Sequence, residues 1–225
     1  MRQNVLIAPS LLAASPLALL DEVRALEQAG ADRIHFDVMD GHFVPNLSFG
    51  PHTLSALRQA TTIPIDAHLM INPILPLLPA FLQASPASLT LHIEALDHTT
   101  TNLLAKIRQK KVQPGLAIKP ETPLTKLVPF FQEIQHVTLM SVEPGFGGQT
   151  FDLRQIDRLK ELVALRDRFA QQQKAQTPFL IHVDGGVDTS LAPKLIAAGA
   201  DVLVAGTAIF KQNAYKEAIK KLRGA

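Results

Sequence analysis

The 225-residue chain contains no cysteine. Disulfide frameworks and thiolate chemistry are therefore excluded, and the composition suits a cytoplasmic setting. Charge of one sign is also missing. Lys and Arg number 22 against 20 Asp and Glu, the formal net charge is only +2, and the cations are dispersed. Without a basic stripe, no nucleic-acid partner is expected. No apolar run is long and uninterrupted enough to cross a bilayer, so no membrane partner is expected either. The N-terminal "MRQNVLIAPSLLAASPLALL" comes nearest to a secretory leader, but Pro9, Ser10, Ser15 and Pro16 break it. "SPLALLDEVRALEQAG" then continues in helical period. The stretch is expected to form a first strand, then a helix capped by Ser15 and Pro16. The first turn, "PSLLAAS", lacks the glycines of a doubly wound nucleotide-binding sheet.

What is present is apolar and rhythmic. Hydrophobic residues make up 47% of the chain and charged ones 19%, enough for one large buried core. Strand-like runs occur at Val5–Ser10, Arg33–Met39, Ile65–Met70, Leu89–Ile93, Pro114–Ile118, His136–Ser141, Phe179–Asp184 and Val202–Ala205. Between them lie helical patterns at Leu17–Ala29, His52–Gln59, Pro76–Leu82, Thr99–Lys110, Leu124–Gln132, Leu153–Phe169, Leu191–Ala198 and Lys211–Leu222. Strict alternation of strand and helix predicts a parallel sheet. Eight repeats predict a closed (β/α)8 TIM barrel spanning residues 1–225 as one α/β domain. The phrase "AGAD" occurs at Ala29–Asp32 and again at Ala198–Asp201, in each case as a helix-ending turn. "AQQQKAQT" at Ala170–Thr177 reads as an exposed polar loop.

Alternate residues of a strand share a face, so "HFDVM" points His35, Asp37 and Met39 the same way. A buried Asp beside a His is costly unless it is paired. In a barrel the partners come from neighbouring strands, and active sites gather at the strand C-termini. Those ends carry Ser10, then His68 and Met70, then His92 and Glu94, then Lys119, Met140, Glu143 and Asp184. A lone strand histidine is usually a packed core residue. His35, Asp37, His68 and Asp184 instead form a two-His, two-carboxylate set, suited to one divalent Zn, Fe(II), Mn or Co ion. His92, His136 and His182 read as packing or outer-shell residues. Met39, Met70 and Met140 read as a flexible apolar collar over a pocket. Lys119 and Glu143 lie at adjacent strand ends and are expected to pair.

Three glycine-bearing turns follow the last strands: "EPGFGGQTF", "VDGGVD" and "VAGTAIF". Glycines there let backbone N–H groups approach an anion, and TIM barrels hold phosphate at this place. Gly147, Gly148, Gly185, Gly186, Gly206 and Thr207 are the expected phosphate site.

The stretches "IAPSLL", "IHFDVMDGHFVPNLSFGP", "DAHLMI", "LHIEA", "GLAIKPETP", "MSVEPGFGGQTF", "HVDGGV" and "DVLVAGTAIF" give the chain a close resemblance to the ribulose-phosphate 3-epimerase family. The resemblance implies a metal-dependent isomerase that interconverts D-ribulose 5-phosphate and D-xylulose 5-phosphate in the pentose phosphate pathway. It implies Asp37 and Asp184 as the catalytic acid/base pair, with His35, Asp37, His68 and Asp184 as metal ligands. Ser10 and His68 would touch substrate. Gly145, Phe146, Gly147, Gly148, Asp184, Gly185, Gly186, Gly206 and Thr207 would hold the sugar phosphate. A homo-oligomer, dimer or hexamer, is implied too. Competing readings are a 3-epimerase of a six-carbon ketose phosphate, a Schiff-base aldolase using Lys119, and a non-catalytic phosphosugar-binding barrel.

Overall fold

The computed structural model describes residues 5–96, 100–173, 178–211 and 214–224. Eight parallel strands form one sheet: β1 (Leu6–Pro9), β2 (Ile34–Met39), β3 (Ile65–Met70), β4 (Ser88–His92), β5 (Gln113–Ile118), β6 (His136–Met140), β7 (Leu180–Asp184) and β8 (Val202–Ala205). Their spatial order is β1-β8-β7-β6-β5-β4-β3-β2. The edge strands β1 and β2 meet through a bridge between Ser10 and His35. Below it, the Asp32 and Arg33 amides donate to the Ile7 carbonyl. The result is the expected TIM barrel.

The helices are α1 (Leu19–Ala29), α2 (Pro51–Ala60), α3 (Leu78–Gln83), α4 (Thr100–Gln109), α5 (Arg154–Gln173), α6 (Ala192–Ala198), α7 (Thr207–Phe210) and α8 (Tyr215–Leu222). The two "AGAD" turns behave as expected: Gly30 and Gly199 end α1 and α6 with φ of 82° and 108°, a left-handed geometry that glycine adopts without steric cost. Four expectations need correction. Ser15 and Pro16 do not cap α1: Ala18 donates to the Ser15 carbonyl in a separate turn and the helix begins at Leu19, with Asp21 and Glu22 in its first turn. These carboxylates complement the positive end of the helix dipole. The expected helix at Leu124–Gln132 is a 3-10 segment, Leu124–Phe130, with Pro129 inside it; proline lacks the N–H that an α-helix needs there. Residues 170–173 belong to α5, because alanine and glutamine favour helix, while the rest of that expected loop lies outside the described residues. The expected helix Lys211–Leu222 starts instead at Tyr215, preceded by the one-turn α7. Its residues 212–213, like Thr99 of the expected fourth helix, lie outside the described residues.

Strand alternation divides the core into two. Ile34, Phe36, Val38, Ile65, Ala67 and Leu69 face the helices in the main apolar cluster. The barrel interior is different. One wall, Ala8, Val202 and Val204 with Leu6 and Leu180 against it, is apolar. Much of the rest is polar and paired. Asp66 accepts from Arg33 Nε and Nη2 at 2.5 Å each and from Ser88 Oγ at 2.6 Å. Thr90 Oγ1 is 2.6 Å from His136 Nε2, and the His136 and His182 rings stack with centroids 4.6 Å apart.

The Arg33–Asp66 pair anchors the floor of the barrel and predicts an acid limb. Burial pushes the Asp66 carboxyl up, but the Arg33 guanidinium outweighs it and brings it to about 2, below the ordinary 3.8. The pairing therefore contributes about 2 kcal/mol, present above the unfolded value and lost as pH falls through about 2. Asp66→Asn is expected to lower stability by about 3–5 kcal/mol near neutrality, because Arg33 is left buried and unpaired. In urea unfolding from pH 6 to pH 2, the gap between wild type and variant should narrow as the acid end is approached. A constant gap would count against the pair.

Candidate active site

Strand β2 delivers His35 and Asp37 into the barrel, β3 delivers His68, and β7 delivers Asp184. Asp37 and His68 are direct register partners, as are Met39 and Met70. One ligand atom from each of His35, Asp37, His68 and Asp184 lies within 4.8 Å of the others. His35 Nε2 is 3.2 Å from Asp37 Oδ1, 3.3 Å from Asp184 Oδ2 and 3.2 Å from His68 Nδ1. His68 Nδ1 is 3.4 Å from Asp37 Oδ1 and 3.5 Å from Asp184 Oδ2. A tetrahedron of donors about 2.0–2.1 Å from a central ion has edges of about 3.3–3.4 Å. The four side chains therefore fit a divalent metal ion in both donor chemistry and spacing.

Electrostatics agree. Burial pushes the His35 imidazole down, but the Asp37 and Asp184 carboxylates outweigh it and hold it well above its ordinary value. Burial likewise pushes His68 down, and hydrogen bonds to the Asp184 and Asp37 carboxylates carry it above its ordinary value. In return, His35 and His68 overcome burial and hold both carboxyls below theirs. The site concentrates negative charge and calls for cations. Among the described residues, His35 Nδ1 is buried with no hydrogen-bond partner.

Loops finish the site. Ser10 begins the 3-10 turn Leu11–Ala13 and donates its hydroxyl to Asp37 Oδ2 at 2.6 Å. Asp40 Oδ1 accepts the amides of His42 and Phe43, and Oδ2 that of Asn72, all at 2.8 Å, fixing the "DGHFVPN" turn. Asn46 Nδ2 then donates to the Gly145 carbonyl at 2.7 Å, tying the loop after β2 to the loop after β6. Gln149 Nε2 folds the second loop by donating to Glu143 and Phe146 carbonyls at 2.8 and 2.9 Å. Sequence reasoning singled out neither Asp40 nor Asn46; both stood inside a quoted motif, but Asn72 and Gly145, which they reach, lie in distant loops.

Ser10, Asp37, Met39, Met70, Met140, Gly145, Phe146, Gly147, Gly148, Asp184, Gly185, Gly186, Gly206 and Thr207 all line one cleft at the C-terminal mouth of the barrel. His35 and His68 lie beneath its floor, fully buried. Met39 and Met70 pack with Val44 on one side of the mouth, and Met140 stands on β6. Phe146 is 54% exposed at the rim. Gly186 has φ 59°, and a Cβ there would lie 2.5 Å from the Phe151 nitrogen and 2.7 Å from the Gln149 carbonyl oxygen. Only glycine lets these two turns meet. Lys119 Nζ pairs with Glu143 Oε2 at 3.5 Å, as expected, and sits 4.7 Å over the Phe43 ring.

Fold and site together define a TIM-barrel enzyme with paired carboxylates at the floor of a glycine-walled cleft. A family model described as "Ribulose-phosphate 3 epimerase family" matches residues 6–210. The chain belongs to that family, whose members are carbohydrate epimerases of the isomerase class. It is 41% identical over 218 residues to "Ribulose-phosphate 3-epimerase" of Bacillus subtilis (strain 168), covering 97% of this chain and 98% of that one. It is also 41% identical over 222 residues to the protein of the same name from Escherichia coli, covering 98% and 96%. Among solved structures, 3-keto-L-gulonate-6-phosphate decarboxylase from Vibrio cholerae shares the fold with a TM-score of 0.73 at 13% identity, covering 99% of this chain and 97% of that one. Among the described residues, no helix is long and apolar enough to cross a membrane.

Proposed function

We propose that the chain interconverts D-ribulose 5-phosphate and D-xylulose 5-phosphate by moving the proton on carbon 3. The observation that carries this is the placing of Asp37 and Asp184 on strands from different sides of the barrel, both against His35 Nε2 at 3.2 and 3.3 Å. The carbon 3 hydrogen is acidic because carbon 2 is a carbonyl, and its removal gives an enediolate. Inversion needs a base on one face of that plane and an acid on the other. Ser10 donates its hydroxyl to Asp37, which favours the ionised form there. Asp37 serves as the base and Asp184 as the acid for one direction, and the roles reverse for the other. His35, Asp37, His68 and Asp184 would hold a divalent ion of the Zn, Fe(II), Mn or Co type, which would supply positive charge to balance the negative charge of the enediolate. Gly145, Phe146, Gly147, Gly148, Gly185, Gly186, Gly206 and Thr207 hold the sugar phosphate, the glycines with backbone N–H groups. Met39, Met70 and Met140 keep water from the reacting face. The Lys119 ammonium is paired with Glu143, which weighs against a Schiff-base nucleophile. A cytoplasmic homo-oligomer, dimer or hexamer, completes the reading.

Solvent deuterium exchange at carbon 3 of D-ribulose 5-phosphate, followed by NMR, tests it. Deuterium should enter with appearance of D-xylulose 5-phosphate. Both should stop on chelation and return on adding a divalent ion. Turnover of a six-carbon ketose phosphate in preference to the pentose would shift the substrate assignment. No exchange with metal restored would sink it.

A further inference from the structure

His92 and Glu94 lie outside the four-residue cluster, yet they run directly into it. His68 turns Nδ1 toward the carboxylates, and its other nitrogen, Nε2, is 2.9 Å from His92 Nε2. His92 Nδ1 is 3.1 Å from Glu94 Oε2. Glu94 Oε1 accepts the Lys119 backbone amide at 2.8 Å, and the Thr122 side chain bonds the same carboxylate. Both imidazoles are fully buried, and the Phe43 ring lies 4.8 Å from that of His92.

With His92 neutral, the donors in this chain can run in only one direction. A carboxylate only accepts, so His92 Nδ1 carries a hydrogen. His92 Nε2 is then a lone pair and accepts from His68 Nε2–H. The lone pair of His68 is left on Nδ1, facing the cluster, which is the form a metal ligand must have. We propose that Glu94 is a positioning residue that sets, through His92, the tautomer of His68 and so its readiness to bind metal. This rests on reading the four-residue cluster as a metal site. The acid–base states agree with the geometry. Complete burial favours the neutral His92 ring, which has one proton to place. Burial pushes Glu94 up, but hydrogen bonds from His92 and Thr122 outweigh it and leave it at about 2.

Glu94→Gln provides a sharp test because it reverses the chain. Lys119 N–H can only donate, so it claims the amide oxygen of the new side chain. The NH2 group is left facing His92 Nδ1, which must accept. The His92 proton moves to Nε2, and the His68 proton is driven to Nδ1, into the metal position. Glu94→Ala removes the orienting charge without imposing the reversed order. Nitrogen-15 NMR of the histidine rings in chelated protein should show His92 protonated on Nδ1 in wild type and on Nε2 in Glu94→Gln. Zn²⁺ affinity, measured by chelator competition, should fall about 10–100-fold in Glu94→Gln and less in Glu94→Ala. A purely space-filling role gives the opposite order, since Gln replaces the lost volume and Ala does not. An unchanged His92 tautomer in Glu94→Gln, or a weaker Zn²⁺ site in Glu94→Ala than in Glu94→Gln, overturns the proposal. If wild type itself binds no Zn²⁺, the metal reading fails, and the NMR tautomers still decide whether Glu94 sets the chain.

Discussion

Asp37→Asn and Asp184→Asn are each expected to abolish net epimerisation, with kcat lower by at least about 10³-fold. Each should still wash the carbon 3 hydrogen out of one epimer, and the two variants should do so for opposite epimers. The reason is facial. Asp37 and Asp184 approach from β2 and β7, strands separated in the ring by β1 and β8. With one carboxylate replaced, the other still removes the hydrogen on its own face. It can return a solvent deuteron only to that face, so exchange occurs without inversion. Both residues also belong to the metal set, so the comparison should be made with metal saturating, as judged by titration of each variant. Exchange of both epimers by either variant would show that a single base serves both faces, and the two-carboxylate mechanism would be wrong.

The second large effect is expected at Gly186→Ala. With φ at 59° and backbone atoms of Phe151 and Gln149 at 2.5 and 2.7 Å from the new methyl, nothing flexible is available to yield. Either the turn after β7 or the segment after β6 must shift, and both belong to the proposed phosphate grip. A displacement of about 1 Å there is expected to raise KM about a hundredfold, with inorganic phosphate binding weakened in parallel. Zn²⁺ affinity should fall less than phosphate binding, because His35 and His68 lie beneath the cleft floor and only Asp184 adjoins the displaced turn. Steady-state kinetics with phosphate inhibition checks this. A wild-type KM would remove Gly186 from the phosphate site.

The parts legible in sequence are those governed by a short period or a local turn. The face shared by His35, Asp37 and Met39 follows from the two-residue repeat of a strand, and the αL turns at Gly30 and Gly199 from the freedom of glycine. The glycine-rich strand ends located the cleft, and the quoted motifs pointed to the family to which the chain belongs. What escaped depends on register or on competition between local forces. The Glu94–His92–His68 chain joins residues whose order of donors is invisible until β3 and β4 are aligned and the Lys119 amide is placed. Asn46 meets Gly145 across 99 positions of sequence. The helical pattern after Pro123 was genuine, yet Pro129 inside it favoured the tighter 3-10 winding.

The seam between β1 and β2 carries a consequence for local opening. The bridge there is Ser10 to His35, and Ser10 also reaches across to Asp37. Residues of the reaction centre are thus also part of the latch of the ring. Fraying of the first strand should disassemble the centre before the rest of the barrel loosens, and whatever occupies the centre should slow that fraying. Amide hydrogens along β1 become reporters of occupancy, although none of them faces the cleft.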